Sequence, residues 1–202
     1  YDISMTITER MMVYKNRDEK KPQIVQVNFF EKQGNYESLL KMNLHTGTHI
    51  DYPLHMLEDG LTSSSENLNA LIGKAKIFDL LEVNDHISET DLKGLKIEEN
   101  DFILFKTKNS FKEIFDFNFT YLDESGAEYL KNKKIRGVGI DALGIERAQE
   151  NNPTHKILLS NNIIILEGIR LKEVPKGEYE MYCLPLKIAQ VEASPARVIL
   201  VR

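Results

Sequence analysis

The stretch His45-Thr46-Gly47-Thr48-His49-Ile50-Asp51-Tyr52-Pro53-Leu54-His55 brings three imidazoles and a carboxylate close together in the chain. All four fall at odd positions. On a helix they would scatter around the axis, whereas under the two-residue alternation of a strand they project to one side, so an extended or looping segment is expected. A straight strand from His45 to Asp51 would span about 20 Å, and one ion needs ligands at about 2.0 to 2.2 Å, so the segment must curl. Gly47 can supply the bend, because glycine takes backbone angles other residues avoid, and Pro53 stops a helix from running through the site. Burying this polar face without a cation would leave many unpaired groups. Imidazole with carboxylate suits Zn, Mn or Fe, and no nearby cysteine closes a structural zinc site. The pattern points to a catalytic centre for a divalent metal.

Two more residues belong to the inventory. His155 lies in Pro153-Thr154-His155-Lys156-Ile157, and Glu167 is the first charged residue after the apolar run Ile163–Leu166. A carboxylate there is either a strand-end surface group or a ligand. His86, in Asn84-Asp85-His86-Ile87, has no such company and is expected to cap an element or face solvent. Cys183, the single cysteine, sits in an apolar strand context where a free thiol behaves as a small buried hydrophobe.

These side chains need a scaffold, and 202 residues supply one domain with a real core. Apolar residues are 42% and charged residues 28%, which excludes a disordered chain or a disulfide-dense scaffold. A net charge of −5 argues against nucleic-acid binding. The longest apolar runs fall far short of the ~20 residues of a membrane span. No leader is visible at Tyr1-Asp2-Ile3-Ser4, and with a single cysteine a cytoplasmic protein is expected. Residues 22–30 and 36–44 read as a hairpin turning around Gly34-Asn35, and residues 75–81, 101–107 and 135–140 as buried strands. Residues 88–95 and 120–132 open on Ser88 and Thr120, each with Asp three positions on, and read as capped helices. Strands are expected at 179–184, 186–191 and 196–201. The whole is a mixed α/β domain with too few helices for regular βα alternation.

The pattern H-x-G-T-H-x-D-x-P-x-H resembles the hallmark of the cyclase-like metal hydrolases, which include bacterial kynurenine formamidase and isatin hydrolase. Tyr1–Ser4, Met12–Tyr14, Gly137–Ala142, Ile165–Gly168, Leu184–Ile188 and Ser194–Arg197 are similar to further stretches of that family. The resemblance implies the swivelling β/β/α domain, mixed β-sheets with flanking helices, and a homodimer or larger assembly. It implies that His45, His49 and Asp51 hold a first ion, that Asp51 bridges to a second held by His155 and Glu167, and that His55 carries protons. Tyr14 stands where the formamidases have a Trp that packs on the substrate ring, and the usual glycines are missing from residues 189–193. Metal chemistry is untouched by these departures; substrate choice is not.

The implied reaction is hydrolysis of a small-molecule amide, N-formylkynurenine to kynurenine and formate as in tryptophan catabolism, or opening of a cyclic amide such as isatin. A divalent ion lowers the pKa of bound water from about 15.7 towards 7 and polarises a carbonyl, and His55 would move the proton. A non-haem iron oxygenase would need only His49, Asp51 and His155, leaving the other groups without a task. A metal-binding module without turnover would have no use for His55.

Overall fold

The computed structural model describes residues 1–202. In chain order the elements are β1 (Gln23–Asn28), α1 (Phe30–Gln33), β2 (Glu37–Lys41), β3 (His49–Asp51), β4 (Ile72–Asp79), β5 (His86–Ile87), α2 (Glu89–Leu92), β6 (Phe102–Lys106), β7 (Tyr121–Leu122), α3 (Glu124–Asn132), β8 (Gly137–Ile140), α4 (Pro153–Ser160), β9 (Ile164–Glu167), β10 (Gly177–Pro185) and β11 (Ala193–Val201). The fold is mixed α/β with few helices, as expected. What sequence did not announce is closure: β10, β11, β3, β9, β8, β6 and β4 form one barrel, with β4 pairing back to β10. Neighbours from β4 through β9 run parallel, and the remaining pairs are antiparallel.

Strand alternation sorts the core into two layers. Phe102 and Leu104 of β6 pack with Ile50, Leu166, Met181, Cys183, Val198 and Leu200, which fill the barrel. Ile103 and Phe105 of the same strand, with Val138, Ile140 and Ile165, face out and are covered by Ala127 and Leu130 of α3 and Leu158 and Leu159 of α4. Side chains of this kind contribute roughly 1.5 to 3 kcal/mol each when fully buried, so a nearly continuous apolar wall backs the strands that carry the polar cluster. Cys183 belongs to that wall, and burial pushes its thiol pKa up.

Local chemistry explains where the elements depart from expectation. α2 starts as predicted, with the Ser88 N–H donating to Asp91 at 2.8 Å, but it ends at Leu92. α3 starts at Glu124 because Asp123 caps it, accepting from the Gly126 N–H at 2.8 Å; Thr120 precedes the short strand β7 instead. Residues 186–191 are a loop, not a strand: Gln190 takes a φ of 60°, and Ser63 and Ser64 hold the loop from the side, Ser63 donating to the Ile188 carbonyl. The β1–β2 hairpin forms as expected, with α1 inserted in its turn, and stands apart from the barrel as its own two-stranded sheet. No helix is long and apolar enough to cross a membrane.

β9 is locked to the loop before β3 by a backbone contact. Gly168, at φ +70°, accepts from Thr48 Oγ1 at 2.7 Å, and a Cβ at this position would lie 2.3 Å from the Gly47 carbonyl oxygen. Gly168→Ala must therefore separate these segments and occupy a left-handed conformation, a loss of roughly 2 to 4 kcal/mol that a shift in the denaturant midpoint would register.

Candidate metal centre

The polar cluster lies on the outer side of the barrel, where β3 runs between β11 and β9. Alternation along this three-residue strand sends Ile50 into the barrel and His49 and Asp51 out, and Glu167 of β9 pairs in register with His49. His45 reaches the same place because the chain curls through Gly47, whose φ is +75°. His55 arrives on a single 3₁₀ turn, Pro53–His55, that Pro53 starts; no longer helix follows. His155 enters from the first turn of α4. The six residues from which sequence predicts metal and proton chemistry thus meet in one cluster, drawn from two strands, a helix and two turns.

The distances define its chemistry. His49 Nε2 lies 3.4 Å from Asp51 Oδ1 and 3.4 Å from Glu167 Oε2. His155 Nε2 lies 3.4 Å from Glu167 Oε1 and 3.6 Å from Asp51 Oδ2. His45 Nδ1 is 3.0 Å from Asp51 Oδ1, and its Nε2 is 3.4 Å from Glu192. Two ring tautomers are set from behind. His49 Nδ1 donates to the Gly47 carbonyl at 3.0 Å, and His155 Nδ1 donates to Glu146, so each presents Nε2 to the carboxylates. His49 Nε2 and both Asp51 oxygens are buried without a hydrogen-bond partner.

Such an arrangement asks for a cation. Burial opposes charge on His49, but Asp51 and Glu167 outweigh it and hold its pKa up at about 10, so that without an ion a proton on Nε2 fills the place a divalent cation would take by displacing it. Burial and the Asp51 charge push Glu167 up, yet His155 and His49 bring it down to about 2. Both carboxylates are held ionised in a place where an uncompensated ion costs several kcal/mol. Lone pairs on imidazole nitrogens and carboxylate oxygens, gathered with few protein donors, form the hard, borderline donor set that Zn, Mn and Fe favour. The ligand atoms fall into two groups, His45–Asp51–His55 and His49–Asp51–Glu167, with Asp51 common to both and the atoms within each group no more than 4.8 Å apart.

Among the four imidazoles, His55 is distinctive. His45, His49 and His155 each face a carboxylate within 4 Å, whereas His55 has none that close and instead stacks 4.2 Å from the His45 ring. Burial holds its pKa below the usual histidine value. Tyr14, half-buried, packs edge-on against Phe115 and Phe119 at ring distances of 5.3 and 6.4 Å, and burial together with the Glu167 charge raises its pKa. His86 stands apart, paired with Asp85 at 2.9 Å and exposed.

Sequence reasoning missed two carboxylates. Glu192 reaches His45 from the end of the 186–192 loop. Glu146 does more: besides the His155 ring it accepts from the backbone N–H groups of His155 and Thr154, at 3.1 and 3.2 Å, so one buried carboxylate both caps α4 and orients its histidine. The adjacent Ile145 N–H donates to Glu167 at 2.6 Å. Glu146 lies nine positions before His155, a spacing with no local periodicity to flag it. Glu146→Ala should weaken metal affinity by about 10- to 100-fold, measured by competition with a chromogenic chelator, with Glu146→Gln losing less because the amide oxygen can still accept from the ring.

Comparison with known proteins identifies the family. Residues 1–147 match the family described as putative cyclase. The chain is 34% identical over 177 residues to cyclase-like protein 3 of Oryza sativa subsp. japonica, covering 82% of this chain and 65% of that protein's length. It is 34% identical over 163 residues to the kynurenine formamidase of Erythrobacter litoralis, covering 80% of this chain and 74% of that one. A predicted metal-dependent hydrolase from Bacillus stearothermophilus superposes with a TM-score of 0.92 at 53% identity, over 99% of this chain and 96% of the other. The chain belongs to the cyclase family of metal-dependent hydrolases.

Proposed function

We propose that this protein hydrolyses the amide bond of a small aryl amide, N-formylkynurenine foremost, using one or two divalent ions, Zn or Mn. The observation that carries the reading is the set of buried, partnerless donor atoms on His49 and Asp51, faced by Glu167 and His155. Likeness to a kynurenine formamidase supports the formamide substrate and a place in tryptophan catabolism; a cyclic amide such as isatin is the alternative. The buried thiol of the single cysteine is compatible with a cytoplasmic setting.

His45, His49 and Asp51 would hold one ion, and His155 and Glu167 together with Asp51 would hold a second where two bind. A bound divalent ion supplies acidified water and a polarised carbonyl. His55, free of a carboxylate partner, takes the proton from the attacking water and delivers it to the departing nitrogen. Tyr14 offers an aromatic wall beside the reacting group.

Metal-loaded protein should release formate from N-formylkynurenine, lose that activity to chelator and regain it on adding Zn or Mn. His55→Ala should lower kcat by about 10² to 10⁴ while elemental analysis finds the metal retained, whereas His49→Ala should lose metal. Loss of metal in both would make His55 a ligand. Oxygen uptake with bound iron would indicate an oxygenase instead.

The hairpin supports a homodimer or larger homo-oligomer. Ile24 pairs with Leu40 and Val25 with Leu39 on opposite faces of the ribbon, and Phe30 and Tyr36 are 60% and 65% exposed at its tip. A lone hairpin with apolar faces is marginal in water and an apolar patch of this kind marks an interface. Replacing Val25 and Leu39 by Ser should shift sedimentation towards the monomer.

A further inference from the structure

The segment between Tyr14 and Lys21 carries four cations, and their surroundings differ. Lys21 pairs with Asp18 at 2.7 Å. Lys15 and Arg17 are exposed to water, Lys15 with its ammonium 5.2 Å from the centre of the Tyr14 ring. Lys20 is neither paired nor exposed: no carboxylate lies within 4 Å of its ammonium, and it is only partly accessible. Its backbone is fixed to the metal loop, because Thr46, next to His45, donates from Oγ1 to the Lys20 carbonyl at 2.8 Å. Its ammonium sits 5.3 Å from the centre of the Tyr14 ring, a cation–π distance.

Lys20 is thus tied by its backbone to the metal loop and by its ammonium to the Tyr14 ring. Burial, its largest influence, lowers its pKa; the carboxylates acting most strongly against that are Glu167 and then Asp51, with Arg17 working in the other direction. Offsetting those two carboxylates could by itself account for a lysine here. Yet one divalent ion would balance both of their charges, and the half-buried ammonium is then left with only the exposed Glu19, beyond 4 Å, as a countercharge from the protein. Lysine near a ring and a reacting centre is a point charge on a flexible stem, suited to an anionic group carried by the substrate.

We propose that Lys20 is a substrate-binding residue that holds a carboxylate on the aryl amide, so that the site selects substrates bearing a carboxylate. This rests on the amide-hydrolase reading for the reaction, and on the position of Lys20 alone for the charge preference. The Tyr14 ring and the Lys20 ammonium together would take an aromatic body with a carboxylate attached to it.

Two measurements on metal-loaded wild type, Lys20→Met and Lys20→Arg test it, with elemental analysis showing equal metal content. The first compares kcat/KM for N-formylkynurenine with that for 2-formamidoacetophenone, which has the same aryl ketone and lacks the amino-acid end with its carboxylate and ammonium. In Lys20→Met the ratio should fall by roughly 10- to 100-fold, chiefly through KM, and Lys20→Arg should restore most of it. Equal losses on both substrates would overturn the proposal. The second is calorimetric titration with 2-aminobenzoate, which needs no turnover. Binding to wild type that weakens about tenfold or more in Lys20→Met supports it; equal affinity, or no saturable binding to wild type, overturns it. Carboxylate binding through Lys20 without hydrolysis of any amide would remove the reaction and keep the charge preference, and hydrolysis without discrimination would do the reverse.

Discussion

Two ionised carboxylates, Asp51 and Glu167, are buried side by side against imidazole nitrogens, and the rest of the architecture answers to that constraint. Carboxylates this close repel one another, and neither can turn to water for relief. Each is held by a strand whose backbone is already satisfied on both sides, so the side chains cannot move apart without breaking sheet hydrogen bonds. The histidines that face them are fixed from behind by acceptors, the Gly47 carbonyl and Glu146, so that it is Nε2 of each ring that converges on the centre, carrying a proton that a metal ion would displace. A cation satisfies every member of this set at once.

The barrel and the cluster divide the work between the two faces of the same strands. Ile50 and Leu166 point inward and make apolar core; their neighbours His49, Asp51 and Glu167 point outward and make chemistry. Apolar packing supplies the rigidity that keeps an arrangement of like charges from relaxing, since a close-packed interior resists small displacements. The short loop from Gly144 to Glu146 adds a second brace, with the Ile145 N–H on Glu167 and the Glu146 carboxylate on His155. Two groups from distant parts of the chain are thereby referred to one three-residue frame.

What sequence revealed and what it hid follow the same physics. Strand alternation is local, so the common side of His49 and Asp51 could be read from parity, and the need for a bend could be read from Gly47. Glu167 was ambiguous as an isolated residue, because nothing near it in sequence shows that β9 lies beside β3. Glu146 and Glu192 were invisible for the same reason: each matters only through a histidine that folding brings to it. Barrel closure was equally hidden, since β3 is three residues long and lacks the apolar run by which a buried strand is recognised. The misplaced start of α3 was a contest between two plausible caps, Thr120 and Asp123, that only the packing of β7 against β5 decides. Residues 186–191 looked like a strand by composition, but side-chain hydrogen bonds from Ser63 and Ser64 offered their backbone a different set of partners.

β3 is also one of the two seams of the barrel, joining the antiparallel pair that ends at β11 to the parallel run that begins at β9, the other seam being β4 against β10. Opening this seam would expose Ile50 and Leu166 and dissolve the cluster in the same event. The cluster therefore belongs to the cooperative unit that unfolds globally, not to a loop that breathes locally. Amide exchange at His49 to Asp51 would then proceed through whole-molecule unfolding, and any ion bound there would draw on the stability of the entire barrel to stay in place.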